Sequence, residues 1–209
     1  MSIEIEKKFL FKKEFFNEVT AGLKPTEITQ TYLKKFPTEL KESTEFMHIL
    51  KQHYEEHPEE KENFKSIIAN CFLAPEKQTL HPELRVRAKD EKNFCVTIKL
   101  PKSTDGLSRQ EFEFDISKEM YNLFLTQKKG NTIKKNRYKV PGENNLIYEI
   151  DIYQGVLKGL ATVEVEFPNE EIANAFQKPE YFGKNVTSDK SYKNAQLAEH
   201  GIPSGPDFV

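Results

Sequence analysis

The chain has 209 residues, with 31 lysines and arginines against 33 aspartates and glutamates, and a formal net charge of −2. That length suits one large domain, or a domain with an insert, and is enough to bury a core. The balanced charge excludes a global field for nucleic acid or an anionic membrane, and no apolar run has the length of a bilayer span.

Two further absences set the expected compartment. The acidic N-terminus lacks the apolar segment of a signal peptide. Cys71 and Cys95 make no disulfide framework, so a reducing, cytoplasmic setting is expected.

Residues 2–11, within SIEIEKKFLF, alternate as a strand. Glu4, Glu6 and Lys8 fall on one face, with Ile3, Ile5 and Phe9 on the other and Lys7 as the exception. KKEFFNEVTAGLKP reads as a short helix stopped by Gly22 and Pro25. EITQTYLKKF alternates again and ends at Pro37. The texture then becomes helical over 38–80. Phe46, Ile49, Leu50 and Tyr54 form one stripe. Phe64, Ile67, Ile68 and Phe72 form a second beyond Pro58, which predicts a helical pair.

After Pro82 the period returns to two. ELRVRAK sets Arg85, Arg87 and Lys89 against Leu84, Val86 and Ala88. FCVTIKL sets Thr97 and Lys99 against Val96, Ile98 and Leu100. SRQEFEFDI sets Arg109, Glu111, Glu113 and Asp115 against Phe112, Phe114 and Ile116. A helix is expected over roughly 117–128. KKNRYKVP, LIYEIDIY and ATVEVEF then alternate in turn. They place Arg137 and Lys139, Glu149 and Asp151, and Thr162, Glu164 and Glu166 on their charged faces. Helical stretches near 169–177 and 189–200 follow, and 201–209 reads as a loose tail.

Such alternation fits an antiparallel sheet with one wet face. Like charges at i, i+2 repel along their own strand, however, and Glu4/Glu6, Glu111/Glu113, Glu149/Asp151, Glu164/Glu166 and Arg85/Arg87 all have that spacing. A second reading closes the strands into a barrel whose charged faces line a water-filled lumen. Carboxylate oxygens suit Mg²⁺ or Mn²⁺, and arginine and lysine suit phosphate oxygens. A polyphosphate carrying a divalent metal meets both requirements.

Glu4-Ile-Glu6-Lys-Lys8 resembles the E-x-E-x-K signature of the CYTH superfamily, the triphosphate tunnel metalloenzymes. LRVRAK, VTIKL, RQEFEF, KNRYKV, YEIDIYQGVLKGLATVEVEF and YFGKNVTSDKSYKNAQLA resemble the family's later motifs in the family's order. The resemblance covers 2–36 and 81–200. It implies an α+β fold: a closed, eight-stranded antiparallel barrel with surrounding helices and a helical insert at about 38–80, all within a single domain of residues 1–200.

By that resemblance Glu4, Glu6, Glu164 and Glu166 match metal-side carboxylates, and Glu111, Glu113 and Asp151 match further acidic positions of the metal set. Lys8, Arg85, Arg87, Lys99, Arg109 and Arg137 match phosphate-holding cations, with Lys190 a candidate. The implied activity is Mg²⁺- or Mn²⁺-dependent hydrolysis of a triphosphate, inorganic tripolyphosphate foremost, with Glu4, Glu6 and Lys8 at the chemistry. Lys8 is either a base or a phosphate clamp. Alternatives are a nucleotide- or thiamine-triphosphatase, a class IV adenylate cyclase, or a polyphosphate-binding module without turnover.

Two features depart from the family pattern. The 38–80 stretch is long, and is a lid, a protein-partner surface or a neutral insert. Ser191 stands where relatives carry arginine in Asp-x-Arg-Tyr-x-Asn. His53 and His57 have an i, i+4 spacing that suits Zn²⁺, but the charged surroundings favour a solvated helix face. Cys95 is expected to be a small packing residue.

Overall fold

Alternating strands dominate the fold, as the two-residue period requires. The computed structural model describes residues 5–58, 62, 65, 82–101 and 109–204. Nine strands form one antiparallel sheet in the order β5-β4-β3-β2-β6-β7-β8-β1-β9. They are β1 Ile5–Phe11, β2 Thr26–Leu33, β3 Glu83–Lys89, β4 Asn93–Pro101, β5 Arg109–Ile116, β6 Lys128–Pro141, β7 Ile147–Gln154, β8 Ala161–Phe167 and β9 Phe182–Asn185. Among the described residues the α-helices are α1 Phe16–Val19, α2 Thr44–Glu56, α3 Lys118–Leu125, α4 Glu170–Ala175 and α5 Asn194–His200.

The closed eight-stranded barrel expected from the sequence is not what the chain forms. The sheet is open, with β5 and β9 as its edges, and it has nine strands. The second edge of β1 is taken by β9, which pairs at Phe9↔Asn185 and Phe11↔Phe182 with a register shift between them. Alternation sets which face of a strand is apolar but says nothing about which edges meet. Of the expected helical pair, α2 carries the first stripe. The second stripe, Phe64 to Phe72, lies outside the described residues, as do residues 205–209 of the tail. Among the described residues no helix is long and apolar enough to cross a membrane.

The chain divides into two units, residues 1–29 with 132–209, and residues 30–131. In the first, the apolar faces of β1, β7 and β8 pack Phe9, Tyr148, Ile150, Val163, Val165 and Phe167 with Phe182 of β9. Each fully buried large apolar side chain contributes roughly 1.5–3 kcal/mol of transfer free energy. Lys7, the exception on that face, has a specific partner. Its Nζ donates to the Ala173 carbonyl in the last turn of α4 and lies 5.7 Å from the centroid of the Phe167 ring. A lysine stem across an apolar surface with its ammonium on a helix-end carbonyl satisfies both parts of the side chain.

In the second unit, α2 and α3 cover the apolar faces of β3, β4 and β5. Phe46, Leu50, Met120 and Phe124 are buried there with Val86, Val96, Ile98, Phe112 and Phe114. Both helices start on a serine cap: Ser43 Oγ accepts from the Phe46 N–H at 3.2 Å, and Ser117 Oγ from the Met120 N–H at 3.3 Å. Such caps satisfy donors that the first turn leaves unpaired. The packing leaves the opposite, charged face of each unit to carry chemistry.

Candidate active site

Register builds the charged face of the first unit. β1 and β8 place Lys8 opposite Glu164 and Glu6 opposite Glu166. β7 and β8 place Glu149 opposite Glu164, and β6 and β7 place Arg137 opposite Asp151. Two carboxylates directly opposite each other repel, so Glu149 and Glu164 need a cation between them. Arg137 supplies it. Its Nη1 bonds Glu149, its Nη2 donates to Glu164 at 2.7 Å, and its Nε and Nη2 donate to the two oxygens of Asp151 at 2.7 and 2.6 Å.

Asp151 is fully buried and also accepts from Lys135, a lysine with only 3% of its surface exposed. Isolated charges in such a setting would be costly, and mutual pairing with several hydrogen bonds is what makes the burial tolerable.

Lys8 lies at the other end of this network. Its ammonium donates to the Tyr192 carbonyl at 2.9 Å and pairs with Glu164 at 3.1 Å. Burial by itself would lower its pKa. Tyr153, Glu164 and Asp151 more than offset that, so Lys8 sits above the ordinary lysine value. For Glu164 burial favours the neutral acid, but Lys8, Lys135 and Arg137 prevail and hold it well below the ordinary carboxylate range. Burial draws the Lys135 pKa down, with Arg137 acting the same way and Asp151 opposing.

The second unit carries its own charged face. Arg85 Nη2 donates to Thr97 Oγ1 at 3.1 Å and to Glu111 at 3.4 Å, and Thr97 Oγ1 donates to Glu113 at 3.0 Å. Lys99 pairs with Glu111, while Arg87 and Lys89 stand 3.9 and 4.0 Å from Glu113. Buried Arg85 Nε has no hydrogen-bond acceptor among the described residues. Glu113 lies below the ordinary glutamate value: burial opposes this, while Arg87, the Thr97 hydroxyl, Lys89 and Arg85 produce it. Cys95 shares the parity of Thr97 and Lys99 and faces these charges. Burial, then Glu113, push its thiol up to about 11, so it is not a ready nucleophile.

Several sequence-predicted residues fall elsewhere. Glu4 lies outside the described residues. Arg109 pairs through its backbone opposite Pro101, and its side chain is outside the description. Lys190 is exposed on a 3-10 turn that Asp189 caps, and the Ser191 hydroxyl in that turn donates to Asp189 at 2.6 Å. The structure groups Asp151 with Glu164, and Glu111 with Glu113, around arginines, and sets Glu6 opposite Glu166. No set of three or more described carboxylates, histidines or cysteines converges as a metal cage. The His53 ring is 4.6 Å from that of His57 and meets Phe112 and Phe114 edge-on at 5.6 and 5.1 Å, so it belongs to the packing of α2.

Sequence reading missed Lys135 and Tyr153. Each continues a recognised alternation by one step, Lys135 two residues before Arg137 and Tyr153 two after Asp151, and that parity is the signal that would have found them.

The chain is 39% identical over 116 residues to an inorganic triphosphatase of Nitrosomonas europaea, covering 56% of this chain and 74% of the relative. It is 33% identical over 120 residues to an inorganic triphosphatase of Acetivibrio thermocellus, covering 56% and 72%. A crystal structure of an inorganic triphosphatase superposes with a TM-score of 0.54 at 26% identity, over 98% of this chain and 99% of that one. The family model for the CYTH domain matches residues 40–188, so the chain belongs to the CYTH domain family.

Proposed function

We propose that this protein hydrolyses inorganic tripolyphosphate to pyrophosphate and phosphate with a divalent metal. The observation that carries the reading is the charged face of the first unit, with Lys8, Lys135 and Arg137 held among carboxylates, in a chain 39% identical to an inorganic triphosphatase. Phosphoryl transfer asks a protein mainly for positioning and charge neutralisation, and such a face offers both.

We place the metal at Glu6 and Glu166. Glu6 and Glu166 are both exposed and directly opposite each other, and we add Glu4, two residues before Glu6 in the sequence, as a further oxygen donor. Hard oxygen donors select Mg²⁺ or Mn²⁺. When bound, the metal supplies neutralisation of phosphoryl oxygens.

Asp151, Glu164, Glu111 and Glu113 serve in this reading as counter-ions that orient arginines and lysines. Lys8 and Arg137 hold phosphate oxygens, and we assign Arg85, Arg87, Lys99 and Arg109 the same kind of contact. Arg85, with a buried donor still to satisfy, is suited to it. A Lys8 pKa above the ordinary value suits a permanent cation rather than a base. We take residues 1–200 as one catalytic domain with an insert at 38–80, acting in the cytoplasm.

The test is phosphate release from tripolyphosphate, ATP and thiamine triphosphate, each with Mg²⁺, Mn²⁺ or EDTA. Fast release from tripolyphosphate that EDTA abolishes is expected. Preference for ATP or thiamine triphosphate replaces the substrate, and release unaffected by EDTA refutes the metal. Binding without any release leaves a polyphosphate-holding module.

A further inference from the structure

Lys8 is held from two directions, and both holds come from the C-terminal segment. Its backbone N–H donates to Thr187 Oγ1 at 2.9 Å, and its carbonyl accepts from the Val186 N–H at 2.9 Å. These bonds fix the strand but not the four-carbon stem, which is free to swing unless the ammonium is also held. That second hold is the Tyr192 carbonyl, with Glu164 beside it.

What keeps the Tyr192 carbonyl there is less evident. The 3-10 turn that carries it, Lys190–Tyr192, is closed internally by Asp189, which accepts from the Ser191 N–H and hydroxyl at 3.0 and 2.6 Å. Those bonds are internal to the turn, and the Tyr192 side chain is itself buried. Two residues on, Asn194 Oδ1 accepts from the Tyr153 hydroxyl at 2.8 Å. Tyr153 is almost fully buried on β7, two residues from Asp151 on the same face. This bond joins the first residue of α5 to the charged face.

We propose that Tyr153 and Asn194 are positioning residues for Lys8: their hydrogen bond seats the Tyr192 carbonyl against the Lys8 ammonium, and so fixes where that positive charge meets an incoming phosphate group. A charge oriented before the ligand arrives spares the cost of ordering it on binding. The kinetic part rests on the triphosphatase reading above. The structural part does not.

The experiment uses the full chain with ¹⁵N-labelled lysine and reads the Lys8 side-chain NH₃⁺ signal, assigned by its loss in Lys8→Met. In the wild type it is expected to be resolved and slowly exchanging, unlike that of exposed Lys139. In Tyr153→Phe and in Asn194→Ala it should broaden into fast exchange, while the backbone spectrum remains that of the folded protein. With tripolyphosphate and Mg²⁺, each variant should raise KM about tenfold with kcat within about twofold. The double variant should be no worse than the poorer single, because both remove the same bond.

Tyr153→Phe removes one oxygen and decides the matter if Asn194→Ala fails to fold. A wild-type Lys8 signal that exchanges as fast as that of Lys139, a signal unchanged in the variants, or multiplying KM effects overturns the proposal. A wild type that releases no phosphate overturns the proposed function and leaves the NMR result to decide the positioning role by itself.

Discussion

The charged faces of the two units come from the same kind of sequence and have different physical character. In the first, Asp151 and Lys135 are buried and Arg137 bonds three carboxylates at short range. In the second, Glu113 keeps 37% of its side-chain surface exposed, and its arginine and lysine neighbours stand at 3.9–4.0 Å. Alternating charge is therefore compatible with a rigid buried network and with a looser, hydrated one. Backing does not distinguish them, since both faces lie over well-packed apolar cores. The difference is how many charged groups share one desolvated acceptor, and Asp151 is the focus in the first unit.

The largest expected effect is therefore at that focus. Asp151→Asn keeps the shape but leaves Lys135 and Arg137 without their buried counter-charge, and removing one partner of such a set costs about 3–5 kcal/mol. Urea denaturation should show a correspondingly lower midpoint. A loss below about 1 kcal/mol would mean that the first unit is as hydrated as the second.

How far was this legible in the sequence? Strand positions were, because burial of one face imposes a two-residue period: β3, β5, β7 and β8 fall within a residue or two of the alternating runs. The network at Asp151 was legible only in part. Arg137, Glu149, Asp151 and Glu164 lie on charged faces by parity, but Lys135 is not singled out within KKNRYKVP, because parity marks a charged face without showing which of its cations is buried. The expected helix after Phe11 is shorter than its apolar spacing suggested, a 3-10 turn at Lys13–Phe15 followed by four residues of α1. β9 was missed because four residues, FGKN, are too short to show a period. Sheet closure and the hold on Lys8 by the Tyr192 carbonyl are backbone matters on which side-chain patterning is silent.

A second, smaller effect separates metal binding from ion pairing within the first unit. Glu6→Gln should lower metal-dependent phosphate release at least about 100-fold, by analogy with the losses that follow damage to a metal site. Its melting temperature should change little, since Glu6 is exposed. Raising Mn²⁺ should recover part of the activity. Wild-type rates in this variant would remove Glu6 from the metal and with it the Glu6–Glu166 site.

Acid sharpens the comparison further. The Glu164 carboxyl is held below the ordinary range by Lys8, Lys135 and Arg137 against the cost of burial. A carboxylate depressed by folding contributes stability that is fully present above its unfolded pKa, roughly 4.3, and is lost as pH falls towards the folded value. The wild-type urea midpoint should fall steeply below about pH 4, and Glu164→Gln should flatten that dependence while lowering stability at neutral pH. An unchanged slope would place the acid-sensitive group elsewhere.

The smallest expected effect is in the second unit. Glu113 is also depressed below its ordinary value, so the sign of its acid dependence matches that of Glu164. Its size should not. Arg87 and Lys89 stand 3.9 and 4.0 Å from Glu113, whose side chain is 37% exposed, and ion pairs of that length at a part-exposed carboxylate contribute about 0–1 kcal/mol. In Glu113→Gln the side-chain carbonyl still accepts from Thr97, which preserves that bond to the neighbouring strand. The variant should lose under about 1 kcal/mol by urea denaturation, and added salt should shrink even that, because screening at about 1 M acts over roughly 3 Å. Salt should leave the Asp151→Asn loss nearly intact, since buried pairs are little screened. If Glu113→Gln instead costs as much as Asp151→Asn and is equally indifferent to salt, the two faces are one kind of network, and exposure does not separate them.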